Sequence, residues 1–188
     1  MKPMAFRSHQ TPQMKRLLFI VLSLASTSAL DATPLWHGAE SGMSVLQVTK
    51  KFEGAAVPKK PSELANGATE KIQIPSIKYL NHEFLVRFYF NDAGLEQVTL
   101  ALKNPGKRKE LTQIAELIAK DLSKTLGEAK QQASDNSGAK TLGWIWDRTD
   151  QRVSIFMISF GPTEELSNGG FLNVNYQPPV KSSSNSGR

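Results

Sequence analysis

The chain contains no cysteine, and only three of its 188 residues are histidine. Without cysteine there is no disulfide, no thiol chemistry and no lipoprotein-type N-terminal cysteine, so the fold is expected to hold without disulfides. Only His37 and His82 lie outside the leader described below, and neither sits in a spacing such as H-E-x-x-H. A zinc or hydrolytic centre needs several such ligands converging, so both read as loop histidines. Also missing are a G-x-S-x-G elbow, an S-x-x-K at a helix start and a phosphate-binding G-x-x-x-x-G-K-[ST]. The carboxylates are spread singly, which leaves open only a pair brought together by folding. The expectation is therefore no catalytic residue, no metal and no cofactor.

Long apolar runs are equally scarce. The longest, Leu17 to Leu22, follows Lys15 and Arg16 and passes into the small residues that end at Ala29. That pattern is a secretory signal peptide over residues 1–29, with 1–13 an upstream extension or a misassigned start. The run is too short for a membrane anchor, which needs about 20 apolar residues. The expected location is periplasmic or secreted and soluble, with no stable membrane insertion after cleavage.

Excess charge is absent where it would matter. The formal net charge is +6, but four of the 23 Lys and Arg lie in the leader and two beyond residue 180. Residues 30–180 thus carry 17 basic and 17 acidic residues. A nucleic-acid-binding domain is expected to be net basic, so nucleic acid is not expected as a partner.

What is present is a patterned scaffold. Ser44 with Gln47 three residues on is a capping-box signature, and Val45, Val48 and Phe52 follow at helical spacing, predicting a short helix over 45–52. Residues 55–70 read as an exposed Pro- and Gly-containing loop. Lys71–Leu80 is interrupted by Pro75, so it is at best an edge or bulged strand. In Glu83–Phe90 the residues Phe84, Val86, Phe88 and Phe90 share one face, and Glu83, Leu85, Arg87 and Tyr89 the other. Asn91 to Gly94 then turns the chain into a strand carrying Val98, Leu100 and Leu102.

Residues 104–127 predict the long helix. Leu111, Ile114, Ala115, Ile118, Leu122 and Leu126 form its apolar stripe, Asn104 its N-cap, Pro105 its first position and Gly127 its stop. A polar loop follows over 128–140, then strands over 141–148, 153–160 and 171–176. The second, Val153–Phe160, is apolar on both faces and reads as a central strand. Residues 181–188 predict a disordered tail.

The fold expected is α+β: a mainly antiparallel sheet of about five to six strands, covered by one long and one short helix in the order α-βββ-α-βββ. It occupies a single domain over 30–180. The two hairpins share an aromatic alternation before a polar turn, Phe88-x-Phe90 and Trp144-x-Trp146, too short a match to establish duplication.

Three groups of residues are candidates for function. Leu85, Arg87 and Tyr89 place an aromatic beside an arginine on the outward face of a strand, which suits a protein interface. Lys103, Lys107, Arg108 and Lys109 gather positive charge at a helix start, where free N–H groups could hold a phosphate, a lipid headgroup or an acidic patch. The alternative for these is a solvated turn. Trp144 and Trp146 share a face with Leu142 and read as core, while Trp36 reads as core or as part of a binding patch.

The segment Trp36-His37-Gly38, with Gly42-Met43-Ser44-Val45-Leu46-Gln47-Val48 and the later Phe88-Tyr89-Phe90-Asn91-Asp92-Ala93-Gly94-Leu95, resembles small exported proteins of the β-lactamase-inhibitor-protein-like fold. That group includes the small lipoprotein of the outer-membrane barrel-assembly machinery. The resemblance covers residues 36–102 and implies a non-enzymatic protein that binds other proteins by its sheet face. The missing lipidation cysteine departs from the lipoprotein members. The functional expectation is an exported, non-enzymatic protein-binding or accessory module of the bacterial cell envelope, with an unidentified envelope protein as partner. The alternatives are a periplasmic hydrolase or small-ligand-binding protein with dispersed site residues, and anion or headgroup binding at the basic helix start.

Overall fold

The structure, a computed structural model, describes residues 32–136, 138–161 and 169–180. The signal peptide, the tail and most of the 161–170 loop expected above lie outside them. In chain order the elements are α1 (Val45–Lys51), β1 (Thr69–Tyr79), β2 (His82–Asn91), β3 (Gly94–Leu102), α2 (Arg108–Leu126), β4 (Lys130–Asn136), β5 (Ala139–Asp147), β6 (Arg152–Phe160) and β7 (Gly170–Gln177). The α+β class and the antiparallel sheet are as expected. The sheet has seven strands in the order β1-β2-β3-β7-β6-β5-β4, rather than five or six. The meanders β1-β2-β3 and β4-β5-β6 thus flank β7 in mirrored order.

The additional strand is β4. Every residue of KQQASDN is exposed, so this outermost strand has no apolar alternation to betray it; pairing with β5 from Lys130 opposite Ile145 to Asn136 opposite Ala139 defines it. At the other edge, Pro75 falls in the register shift between Ile74 and Ile77 of β1, where a missing ladder donor is tolerated.

Both helices are shorter than the spans predicted. Ser44 and Gln47 close the capping box of α1 in both directions, at 2.7 and 3.3 Å. For α2 the stop is at Gly127 as expected, with φ 84°, but the start is not at Asn104. Gly106 takes φ 66°, which breaks the helical path. The N-cap is Lys107, whose backbone N–H donates to the Glu110 side chain at 3.1 Å.

Seven strands about 4.8 Å apart make a sheet some 30 Å wide, while one helix with its side chains covers about 10 Å. Several elements therefore share the inner face. Helix α2 covers β5 to β7 with Leu111, Ile114, Ala115 and Ile118. Trp36 and Phe52, stacked 5.7 Å apart, cover Phe88 of β2. Beneath them an apolar row, Val86–Leu100–Val174–Ile155–Trp144, crosses five strands in register. Trp144 and Trp146 are core, and the Trp146 indole N–H donates to the Gly127 carbonyl at 2.9 Å, joining the helix end to β5.

Candidate functional site: the helix-free face and an inner cleft

Alternation places the residues of that core row inward, and their neighbours along each strand on the opposite, outer face. Over β1 and β2 this outer face is covered. Ser62, in the loop between α1 and β1, donates its hydroxyl to Glu70 Oε2 at 2.6 Å and lies 2.9 Å from the Tyr89 hydroxyl. Arg87 Nη1 donates to Ser62 Oγ at 3.1 Å and lies 3.7 Å from Glu70. The loop expected to be simply exposed is thus latched onto the sheet, burying Pro58 and Ala68. Tyr89, expected as a half-exposed aromatic, is only 4% exposed, because this latch covers it. Of the three interface candidates Leu85 and Arg87 remain half-buried, and Arg87 is engaged by the latch.

Beyond β2 the outer face changes character. Gln97 and Thr99 of β3 hydrogen-bond each other at 2.8 Å; Thr99 reaches Asn175 of β7 at 2.9 Å, and Gln177 reaches Gln97 at 2.6 Å. This amide ladder leads to an aromatic patch on β6 and β7. Phe156, Phe160 and Phe171 are 41, 44 and 40% exposed, and the rings of Phe156 and Phe171 stand 5.7 Å apart. Strand β6 is interior, as its sequence suggested, yet it is not covered on both faces: Val153, Ile155 and Met157 are buried under α2 and the alternate residues are not.

The rest of this surface is uncharged. Its outward residues are Asn173 and Asn175 on β7, Ser154 and Ile158 on β6, and Thr141, Gly143 and Ile145 on β5. Charge appears at its ends, where Asp147 pairs with Arg152 at 3.3 Å and Lys130 at 3.7 Å, and where Glu83 pairs with Lys103 beyond Leu85. The register also connects the patch to a predicted residue. Leu85, Ala101, Asn173, Phe156 and Gly143 form one continuous outer row.

The basic helix start is organised differently. Arg108 is buried, its Nε donating to Ser159 Oγ at 3.2 Å and its guanidinium bonding the Gly161 carbonyl. Lys103 pairs with Glu83 at 3.3 Å. Lys107 and Lys109 point to solvent. The four cations therefore do not face one point.

A second concavity lies on the inner face, between the opening segment and α2. It encloses about 310 Å³ and includes Leu35, Trp36, Leu100, Leu122, Tyr79 and Tyr176. Tyr79 donates to Asp121 Oδ2 at 2.9 Å, and Lys124 binds Asp121 Oδ1 at 2.9 Å. Hydrogen bonds from Lys124 and then from Tyr79 hold the Asp121 carboxyl below its usual value. Burial, then the bond to Asp121, raises the Tyr79 phenol. Burial, then the Asp121 charge, pushes Tyr176 up to about 12. His37, at φ 47° in a tight turn closed by Ala39 N–H to the Trp36 carbonyl, stands exposed at the rim.

His82, expected in a loop, is instead the first residue of β2, near Glu110 and Asn104 at the start of α2 and far along the chain from His37's turn. Among the described residues no group of three or more His, Asp or Glu could hold a metal ion, and no helix is long and apolar enough to cross a membrane. No protein family, curated protein or solved structure matches the chain.

Proposed function

We propose that the chain is an exported, non-enzymatic protein-binding module of the bacterial cell envelope that docks its partner on the helix-free face of the sheet. The observation that carries this reading is the row of exposed phenylalanines on β6 and β7. Large aromatics clustered on a rigid sheet, bordered by amides and hydroxyls, have the composition of an interface core with a polar rim. The lack of charge through the middle of the patch fits an uncharged, apolar surface of another protein and offers no attraction to an anionic membrane. The leader-like first 29 residues support export.

The test is binding to the envelope partner by the Phe156→Asp/Phe171→Asp double variant. Exposed anchors of this kind contribute about 2 kcal/mol or more, so affinity should fall at least about 30-fold while the fold persists. Unchanged affinity in a folded variant would refute the docking face.

A further inference from the structure

The cleft over the boundary of β3 and β7 arises because neither inner-face layer reaches across it. Leu100 and Tyr176 belong to adjacent strands at this boundary, Trp36 comes from the opening segment and Leu122 from α2. Its volume of about 310 Å³ lies at the lower end of small-molecule sites, which run from about 300 to 1,000 Å³. That suits a molecule built around a single ring.

The polar groups select its chemistry. The carboxylate bonded to the cleft wall is Asp121, and both of its oxygens are occupied, by the Tyr79 hydroxyl and by the Lys124 ammonium. It offers no unbalanced negative charge for a cationic ligand. The rim groups His37 and Lys78 are both exposed to water, where a charge partner adds little. Tyr176 is the polar group whose ring packs against the core while its hydroxyl, with no hydrogen bond to a described residue, stays accessible to water in the cleft. Set among Leu35, Trp36, Leu100 and Leu122, that hydroxyl can exchange water for the one hydrogen-bonding group of a ligand that is apolar over most of its surface.

We infer that this cleft binds a small uncharged ring compound bearing a single hydroxyl or carbonyl, oriented by the Tyr176 hydroxyl and flanked by Trp36. The site is separate from the docking face and does not depend on any protein partner.

The experiment is an NMR titration of the full-length chain with p-cresol, benzoate and benzylamine. Saturable shifts should appear for p-cresol at the Trp36 indole and the Leu35 and Leu122 methyls, with benzoate and benzylamine at least about tenfold weaker because a charge must be desolvated. Tyr176→Phe keeps the ring and removes the hydroxyl, so p-cresol affinity should drop about three- to tenfold, the effect of one neutral hydrogen bond. Leu122→Trp fills the space and should abolish binding. Absence of saturable shifts, a charged probe binding more tightly than p-cresol, or equal affinity in a folded Tyr176→Phe variant would overturn the assignment.

Discussion

The hydroxyl of Ser62 donates to the carboxylate of Glu70 across 2.6 Å, and this contact turns a polar connector into a cover for Tyr89. Glu70 is almost fully buried, and its Oε1 has no hydrogen-bond partner, so Oε2 carries the interactions: the Ser62 hydroxyl, the Ser62 backbone N–H at 3.1 Å and Arg87 at 3.7 Å. Ser62→Ala leaves a buried acceptor short of a donor, which costs about 1–3 kcal/mol. Denaturant unfolding should register that loss, and Tyr89 should become accessible to solvent in the variant.

Gly94 ends the β2–β3 turn at the point where the opening segment crosses it. Gly42 N–H donates to the Leu95 carbonyl and Leu95 N–H to Met43, both at 2.9 Å. A Cβ on Gly94 would stand 2.4 Å from the Gly42 carbonyl oxygen, with φ at 113°. Gly94→Ala should therefore destabilise by about 2–4 kcal/mol, combining overpacking with an unfavourable backbone. Gly54→Ala, also at positive φ but with open space around it, should cost only about 1 kcal/mol. Thermal unfolding of the two variants separates the effects.

Tyr176 links stability to alkaline pH. Its phenol holds the proton more tightly in the folded chain than in the unfolded one, where it titrates near 10. The stabilisation is complete below pH 10 and is lost as pH rises from 10 through about 12. Tyr79 is shifted in the same direction. The opposite sign applies to Asp121, whose contribution is present above the usual carboxylate value near 4 and fades as pH falls below it. Unfolding free energies measured from pH 9 to 12 should decline, and the decline should be shallower in Tyr176→Phe.

At the start of α2 the four cations divide into one that is structural, Arg108, one paired at the surface, Lys103 with Glu83, and two that are solvated. Arg108→Gln breaks the contacts to Ser159 and Gly161 and should lower stability by about 2–3 kcal/mol. Lys107→Ala and Lys109→Ala should each stay within about 0.5 kcal/mol, as exposed charges do. Equilibrium denaturation of the three variants checks the division.

Much of the scaffold was legible in sequence because it is written as periodicity. The Leu111–Leu126 stripe, the alternation of Phe84 to Phe90 and the Ser44–Gln47 box each declare an element by a local rule. What escaped was set by partners distant in sequence. Strand β4 has no apolar face, so only its ladder to β5 reveals it. Gly106, two residues past the expected cap, moved the start of α2. The Ser62–Glu70 latch joins a loop residue to a strand residue across eight positions, with no motif to announce it. Phe156 and Phe160 were visible as apolar residues, yet an apolar run on both faces of a strand reads equally as buried or as half-uncovered. The missing information was which face α2 would leave open. Leu85 survived as an outer-face residue because strand alternation alone fixes it.

On the docking reading, Phe156 and its neighbours meet another protein. The most direct measurement places the photo-crosslinking residue p-benzoylphenylalanine at Phe156 in the exported chain, irradiates intact cells and identifies the adduct. A control probe goes at Leu46, which is 62% exposed on α1 on the opposite side of the sheet. One dominant protein adduct is expected at Phe156, lost on Phe171→Asp and absent from Leu46. No adduct at Phe156, or the same adducts from both positions, would contradict it.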